Sequence, residues 1–454
     1  MELNQAVEAQ RDDLLKTLQE SIRIPSVEGP AEPGAPYGKE VRRSLNHALE
    51  TAKALGFATV NMDGQVGWCE YGAGEDMVAV LGHLDVVPAG DGWSGEPFSG
   101  DIRDGKIFGR GSMDDKGPTV AALYALKALK DCGLPLKRRI RILMGTNEET
   151  GSNDMKYYLA HGGETPVMGF TPDGEYPLIN GEKGIVNVDF SRTLQPCGPV
   201  RLKRLSGGSA PNVVPAAAWA ELECPPETVS ALVLPEKVHA TAIAGGVRIE
   251  AEGISAHGST PEQGENAIGR LFLALAALPL EGDLKTAVHF AAEKLGMETD
   301  GTALGIALAD ADSGKLTFNL GTAQCDGETL AFRVNYRYPV TKTLEDCGPQ
   351  FRAELEKAGF HVDGETHKKS LYVAPDSPLV TKLLGVYAAE TGLPATPKCI
   401  GGGTYAKAIP NVVAFGPIFP GDEVREHKPD EFLEVERLMQ NARIIAKAMY
   451  ELAK

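Results

Sequence analysis

The chain has 454 residues, of which 43% are hydrophobic and 24% charged, and its formal net charge is −17. This length exceeds the range in which one hydrophobic core keeps growing, so we expect at least two domains. The acidic balance argues against a nucleic-acid partner and an anionic membrane, because both are bound by clustered Lys and Arg. The longest apolar stretch, 271–280, is shorter than the roughly 20 residues that span a bilayer. Seven scattered cysteines without a Cys-x-x-Cys pair, and a start unlike a signal peptide, predict a cytoplasmic protein.

The first part of the chain alternates helical patterns with short apolar runs that are typical of buried strands. Helices are predicted at 14–22, 41–55 and 117–129, and strands at 77–81, 140–144 and 167–170. This alternation indicates a mostly parallel sheet flanked by helices.

After about residue 184 the pattern changes to alternating strands with few helices. Strands are predicted at 186–190, 217–223, 247–252 and 329–337, and helices at 267–277 and 344–358. The earlier style returns with a helix at 378–391, a strand at 412–415 and a last helix at 432–452. The predicted fold is an α/β domain formed by residues 1–185 and 373–454, with an inserted α+β lid domain at 186–372.

Acidic and histidine residues lie in five loops next to these elements. They are His83 and Asp85 in GHLDVVP, Asp114 and Asp115 in GRGSMDDKGP, Glu148 and Glu149 in GTNEETGS, Asp173 in TPDGEY, and His427 beyond the last strand. Loops that follow parallel strands lie along one edge of the sheet, where ligands bind. We therefore expect the five loops to converge on one site.

Each motif alone is also explained as a helix cap, an acidic first helical turn, a turn former or a solvated histidine. Five such coincidences at one edge explain the pattern poorly, and crowded carboxylates repel one another unless a cation neutralises them. The negative charges of three carboxylates and a hydroxide balance the positive charge of two divalent cations, and one neutral imidazole completes the ligands of each ion. The ligands predicted in this way are His83, Asp114, Glu149, Asp173 and His427. Two ions roughly 3.5–4 Å apart are a known hydrolytic arrangement.

The motifs GHLDVVP, GRGSMDDKGP, NEETGS and TPDG, with a distant C-terminal histidine, resemble the metallopeptidase family of aminoacylase, carboxypeptidase G2 and succinyl-diaminopimelate desuccinylase. The resemblance runs over nearly the whole chain. It implies that His83 and Asp173 bind one metal ion, that Glu149 and His427 bind the other, and that Asp114 bridges them.

The same resemblance implies roles for the neighbouring residues. Asp85 would orient His83, and Glu148 would be the general base and acid that activates the water and protonates the leaving amine. The peptide bond between Asp114 and Asp115 would be cis.

In its length and its local sequence motifs, the chain looks most like the bacterial dipeptidase branch of this family, which includes peptidase V and carnosinase-like enzymes. The insert is long enough for a lid of two lobes. In that branch the extra lobe is thought to replace a partner subunit, so a monomer is expected while a homodimer stays open.

Three further segments resemble the lid motifs of this branch, and a glycine run offers backbone donors. SAPNVVP contains Asn212 as a hydrogen-bond donor, and SAHGSTPEQGENA contains His257 as a donor to the oxyanion. NYRYP contains Arg337, which would grip a substrate carboxylate, and in GGGTYAKA the glycines Gly402 and Gly403 let backbone N–H groups approach that carboxylate. A surface salt bridge for Arg337 and a turn for Asn212 remain alternative explanations.

The predicted function is metal-dependent hydrolysis of the peptide bond of dipeptides by a metal-bridging water that Glu148 activates. The alternative is an N-acyl-amino-acid deacylase of the same fold, removing acetyl or succinyl groups without requiring a free amino terminus. A non-catalytic binding protein has no use for Glu148, and acidity weakens the case for a two-metal nuclease or phosphatase. Zinc suits the predicted ligands best, and manganese or cobalt also accept them.

Overall fold

The computed structural model describes residues 2–454 and divides the chain into two compact units. The first unit extends to Asn180 and continues with Val373–Lys398 and Gly403–Lys454, whereas the second comprises Gly181–Tyr372 and Cys399–Gly402. Compared with the partition expected from the sequence, the second unit begins at Gly181 and gains the segment Cys399–Gly402. No helix within residues 2–454 is long and apolar enough to cross a membrane.

The helices and strands are as follows. The α-helices are α1 Leu3–Glu8, α2 Arg11–Ile22, α3 Lys39–Ala54, α4 Lys116–Cys132, α5 Asn153–Ala160, α6 Pro226–Ser230, α7 Ala267–Ala276, α8 Gly282–Phe290, α9 Gly348–Lys357, α10 Pro378–Thr391 and α11 Val435–Ala453. The strands are β1 Ala58–Met62, β2 Val66–Tyr71, β3 Met77–His83, β4 Ile102–Arg103, β5 Lys106–Phe108, β6 Arg139–Gly145, β7 Met168–Thr171, β8 Gly174–Glu175, β9 Ile179–Glu182, β10 Gly184–Thr193, β11 Arg201–Gly207, β12 Ala217–Glu223, β13 Val238–Ile243, β14 Gly246–Glu252, β15 Ala309–Asp310, β16 Gly314–Lys315, β17 Thr317–Cys325, β18 Thr329–Tyr338, β19 His361–Lys368, β20 Leu371–Tyr372, β21 Lys398–Ile400, β22 Val412–Ala414, β23 Pro417–Ile418 and β24 Phe432–Glu434.

The central sheet of the first unit has the order β1-β2-β6-β3-β7-β22. β3 runs parallel to β6 and to β7, and β22 runs parallel to β7, whereas β1 and β2 are antiparallel additions at one edge. Every residue of β3 is buried, which explains its apolar run MVAVL, since a strand covered on both faces has no polar side. Because β3, β6, β7 and β22 are parallel, the loops at their carboxyl ends share one edge of the sheet.

Local sequence rules fix the helix ends in this unit. Ser377 caps the N-terminus of α10, since its side chain accepts a hydrogen bond from the Val380 N–H. Pro378 occupies the first helical position. The helix ends at Gly392, whose φ of 68° lies in the left-handed region that glycine adopts without strain. α4 ends in the same way at Gly133.

The second unit contains an antiparallel sheet of eight strands in the order β13-β14-β12-β11-β17-β18-β10-β19. Helices α7, α8 and α9 contribute buried side chains to the same core as the sheet. At its centre, aromatic side chains pack against one another, with ring centroids between 5.4 and 6.1 Å apart for Phe190, Phe272, Phe332, Phe351 and Phe360. The predicted fold class, an α/β domain with an inserted α+β region, is confirmed.

One predicted element is wrong in part. Residues 432–452 were expected to form a single helix, but Phe432–Glu434 is strand β24, which pairs antiparallel with β5. Because the backbone groups of these residues bond to β5, helix α11 begins only at Val435.

Candidate active site

The five predicted loops meet in the first unit at the carboxyl edge of its parallel strands. His83 is the last residue of β3 and is fully buried. Its Nε2 lies 2.9 Å from Asp114 Oδ1 and 3.8 Å from Asp173 Oδ2. Asp114 precedes α4, and Asp173 follows β7. His83, Asp114 and Asp173 therefore present their polar atoms to one point.

A second group shares Asp114 with the first. His427 Nε2 lies 2.9 Å from the other oxygen of Asp114, Oδ2, and 3.2 Å from Glu149 Oε2. His427 adopts φ 59°, in the left-handed region in which histidine is among the enriched residue types. Within residues 2–454, the two groups His83–Asp114–Asp173 and Asp114–Glu149–His427 are the ones whose donor atoms lie close enough to hold an ion.

The donor set fits two divalent cations that share Asp114. Burial raises the pKa of Glu149, and the negative charge of Asp114 raises it further, so the ionised carboxylates repel each other without a cation. Glu149 Oε1 is buried and has no hydrogen-bond partner, which leaves an acceptor for an ion. Each group offers one imidazole and two carboxylates, a set that zinc, manganese and cobalt accept.

The histidines compete for the same acceptors as a cation would. Hydrogen bonds to Asp114 and Glu149 raise the pKa of His427 to about 11. Burial lowers the pKa of His83, but bonds to Asp114 and Asp85 outweigh it and raise the value well above normal. Protonation of the two histidines would therefore compete with cation binding at these carboxylates.

Asp85 contacts His83 differently from the expectation. The closest acceptor to His83 Nδ1 is the Asp85 backbone carbonyl at 3.0 Å, and the carboxylate Oδ1 lies at 3.5 Å. The two carboxylate oxygens instead accept the backbone N–H groups of Glu148 and Glu149, at 3.2 and 3.1 Å. Asp85 therefore orients the ring chiefly through its main chain and fixes the Glu148–Glu149 turn through its side chain.

Glu148 lies beside both groups without belonging to either. Burial raises its pKa well above normal, and the negative charge of Asp173 adds to this effect. A half-buried carboxyl group whose pKa is raised in this way is suited to general acid and base catalysis. The cis peptide bond expected between Asp114 and Asp115 is present.

The structure adds a buried carboxylate that the motifs did not indicate. Glu431 Oε1 accepts backbone N–H groups from Gly111, Met113 and Asp114, at 3.0, 2.9 and 3.2 Å. Its Oε2 lies 2.6 Å from Arg110 Nη1, and both side chains of this pair are buried. Glu431 thus ties the loop of Asp114 to the C-terminal loop of His427. The one sequence signal was an acidic residue four positions after His427, in HKPDE.

A second buried carboxylate supports the loop after β6. Asp154 Oδ2 accepts the backbone N–H groups of Thr146 and Asn147, at 2.6 and 3.1 Å, and the Tyr405 hydroxyl. Burial raises the pKa of Asp154 to about 6. The Tyr405 ring meets His83 edge-on, with centroids 5.9 Å apart. No motif indicated Asp154, and Tyr405 stands in GGGTYAKA, where the sequence pointed to the glycines alone.

Within the second unit, the structure brings Asn212 and His257 together. The Gly258 N–H donates to the Asn212 carbonyl at 2.7 Å, and Val213 forms an antiparallel bridge with His257. The two predicted lid residues therefore lie on adjacent, paired segments.

Arg337 is buried on β18 and is not a surface salt-bridge residue. Its Nε donates to Asn335 Oδ1 at 3.0 Å, and its Nη1 donates to the Gly401 carbonyl at 2.7 Å. Burial lowers its pKa to about 10. Gly402 belongs to the same unit as Arg337, whereas Gly403 is grouped with the first unit.

Known proteins resemble this chain in sequence over nearly its whole length. The model of peptidase family M20/M25/M40 matches residues 79–451. "Putative dipeptidase YtjP" of Bacillus subtilis is 39% identical over 458 residues, covering 98% of each chain. A "Putative dipeptidase" of Staphylococcus epidermidis is 33% identical, covering 97% of each chain.

Solved structures resemble the fold. Human carnosine dipeptidase 1 matches with a TM-score of 0.58 at 16% identity, covering 99% of this chain and 98% of the other. A tripeptidase of Staphylococcus aureus matches with a TM-score of 0.59 at 16% identity, covering 97% and 98%. These likenesses extend over both units and support the fold.

Proposed function

Because this chain belongs to peptidase family M20/M25/M40, we propose that it is a dipeptidase that hydrolyses the peptide bond of unblocked dipeptides. It is a hydrolase that acts on peptide bonds, and the family resemblance expected from the motifs is confirmed. Enzymes of this family use divalent metal ions. The observation that carries the proposal is the pair of donor groups that share Asp114, with the half-buried Glu148 beside them.

We assign His83 and Asp173 to one ion, Glu149 and His427 to the other, and Asp114 to both. When bound, the two ions supply Lewis acidity for the scissile carbonyl and for a water molecule. Zinc suits this donor set best, with manganese or cobalt as substitutes.

Glu148 moves the proton in this proposal. Its carboxylate accepts a proton from the attacking water and delivers it to the leaving amine. Asp85 holds the backbone N–H groups of Glu148 and Glu149, so the two side chains keep separate directions, one toward the reacting water and one toward the ions.

In this proposal the substrate is bound by Arg337, His257, Asn212, Gly402 and Gly403. Arg337 grips the C-terminal carboxylate through its guanidinium fork, with the backbone of Gly402 and Gly403 as further donors. His257 donates to the oxyanion of the tetrahedral intermediate, and Asn212 donates a further hydrogen bond. The buried position of Arg337 supports this role, because a desolvated guanidinium that pairs with no carboxylate among residues 2–454 gains most from a substrate carboxylate.

A dipeptide is favoured over an acylated amino acid by the named activity of the relatives that cover nearly the whole chain. We also propose that the enzyme works in the cytoplasm and that it is a monomer. Size-exclusion chromatography with light scattering tests the oligomeric state.

The test is a panel of unblocked dipeptides, N-acetyl and N-succinyl amino acids and tripeptides, given to metal-depleted enzyme with Zn²⁺, Mn²⁺ or Co²⁺ added back. Metal-dependent cleavage confined to unblocked dipeptides supports the proposal and ranks the ions. Cleavage of the acylated amino acids alone replaces it with the deacylase. Cleavage of nothing in the panel contradicts both.

A further inference from the structure

The imidazole of His257 faces two groups of one residue, Ser259. His257 Nδ1 lies 2.6 Å from Ser259 Oγ and 3.4 Å from the Ser259 backbone nitrogen, whose N–H points at it. The Thr260 N–H donates to the His257 carbonyl at 3.0 Å and closes the turn that carries both residues. This geometry lies entirely within the second unit.

The chemistry of these groups determines which ring nitrogen carries the proton. A neutral imidazole has one N–H and one lone pair, and a backbone N–H can only donate. Nδ1 of His257 is therefore the acceptor, and the rotatable Ser259 hydroxyl donates to the same lone pair. The proton then resides on Nε2, and an imidazolium is disfavoured because its Nδ1–H would face the amide N–H.

We propose that Ser259 is a positioning residue that holds neutral His257 as the Nε2–H tautomer, so that the ring presents a hydrogen-bond donor. The inference rests on the proposed function, in which His257 donates to the oxyanion. An oxyanion-stabilising group must offer a proton without losing it, which the fixed neutral tautomer does.

Packing fixes Ser259 in this position. A Cβ placed on Gly401 would lie 2.7 Å from the Ser259 Cβ, so the backbone at 401 approaches this serine as closely as only glycine allows. The carbonyl of the same Gly401 accepts the hydrogen bond from Arg337. One glycine therefore adjoins both the residue that orients His257 and the residue proposed to bind the substrate carboxylate.

A simpler explanation is that Ser259 only forms a turn, since serine commonly does so. The two explanations differ in their kinetic consequence. A turn former affects folding and the stability of the unit, whereas a tautomer-fixing residue affects kcat with little change in KM.

The experiment compares zinc-loaded wild type with Ser259→Ala, Ser259→Asp, His257→Ala and the control Ser230→Ala, an exposed serine on α6, using leucylglycine as substrate. Ser259→Ala should lower kcat about fivefold, the worth of one hydrogen bond, and leave KM within about twofold. Assayed at a pH at which the His257 ring is neutral in every variant, Ser259→Asp should lower kcat about 100-fold, to the level of His257→Ala, because a carboxylate accepts Nδ1–H and leaves the neutral ring without a proton on Nε2. Equal activity of Ser259→Asp and Ser259→Ala overturns the inference.

A spectroscopic arm is independent of turnover. In holoenzyme labelled with ¹⁵N-histidine, the His257 ring, assigned by its loss in His257→Ala, should show a protonated Nε2 and an unprotonated Nδ1. At a pH at which the ring stays neutral, Ser259→Asp should reverse them. A protonated Nδ1 in the wild type overturns the inference even if the variants are poorly folded. If His257→Ala retains full activity, the proposed role of His257 fails, while the spectrum still decides the tautomer.

Discussion

Glu431 offers a direct test of how the site is held together. Replacing Glu431 with Gln keeps an oxygen acceptor for the N–H groups of Gly111, Met113 and Asp114, but removes the negative charge 2.6 Å from Arg110. Replacing it with Ala removes both. The two variants therefore separate the ion pair from the backbone contacts.

The expected magnitudes follow from burial. Glu431 and Arg110 are both buried, and removing one partner of a buried pair costs about 3–5 kcal/mol of the free energy of unfolding. The Ala variant also leaves up to three buried N–H groups without an acceptor, at about 1–3 kcal/mol each for independent groups. These costs overlap, so we expect Ala to be less stable than Gln by at least about 1 kcal/mol.

The effect should reach the metal site because the same loop carries Asp114. Loss of a residue that orients a ligand lowers metal affinity by about 10–100-fold. Zinc affinity is measured by competition with a chelator, and stability by urea unfolding of metal-free protein. Fluorescence of Trp93, whose ring lies 5.3 Å from Arg110 Cζ, reports locally.

Glu434→Gln is the matched control, since that side chain is 51% exposed and its ion pair with Lys106 spans 3.9 Å. It should change stability by less than about 0.5 kcal/mol. If Glu431→Gln costs less than about 1 kcal/mol and binds zinc as tightly as the control, the buried pair does not hold the Asp114 loop and the reasoning is wrong.

Three further outcomes are expected. Glu148→Gln should lower kcat by at least about 100-fold, while elemental analysis still finds two bound metal ions. The control Glu175→Gln, at an exposed side chain, should match wild type. Loss of metal from Glu148→Gln would instead show that Glu148 is a metal ligand. In steady-state kinetics, Arg337→Met should raise KM for dipeptides about 30-fold. The control Arg333→Met, on the same strand, should leave KM unchanged. Equal KM values for the two variants would contradict the proposal that Arg337 binds the substrate carboxylate. Asp154 has a folded pKa of about 6, above its unfolded value, so its stabilising contribution is complete below about pH 4 and is lost as pH rises through 6. The free energy of unfolding of metal-free wild type should therefore fall by about 3 kcal/mol relative to Asp154→Asn between pH 4 and 7, and a constant difference would contradict this.

The convergence of the metal-ligand loops could be predicted from the sequence. His83, Glu149 and Asp173 each follow a run that reads as a buried strand, and parallel strands bring such loops to one edge. Asp114 was predicted from its position directly before a helix, and His427 from the loop that follows the strand at 412–415. The structure groups these five residues around Asp114 as expected, although their individual roles stay predictions.

What could not be predicted depends on tertiary contacts between loops. Strand β24 forms because Phe432 and Leu433 pair with β5. The helix-like periodicity of 432–452 does not exclude a strand over its first residues. Asp85 was expected to use its carboxylate on His83, but the sequence does not specify that the main chain reaches the ring first. Which Asp85 oxygen lies nearest the ring is decided by a difference in distance of less than 1 Å, and sequence periodicity carries no such information.

The acidic residues of the site divide into two kinds that look alike in sequence. Asp114 and Glu149 direct carboxylate oxygens toward the histidines, where a cation takes their charge. Asp85, Asp154 and Glu431 direct theirs toward backbone N–H groups of the loops that carry the ligands. Amide substitution should abolish binding of an ion in the first kind, but in the second kind keep the number of ions and weaken their affinity, because an amide oxygen still accepts a hydrogen bond. Backbone hydrogen bonds therefore satisfy the buried oxygens of Asp85, Asp154 and Glu431, while the charges of Asp114 and Glu149 are left for cations.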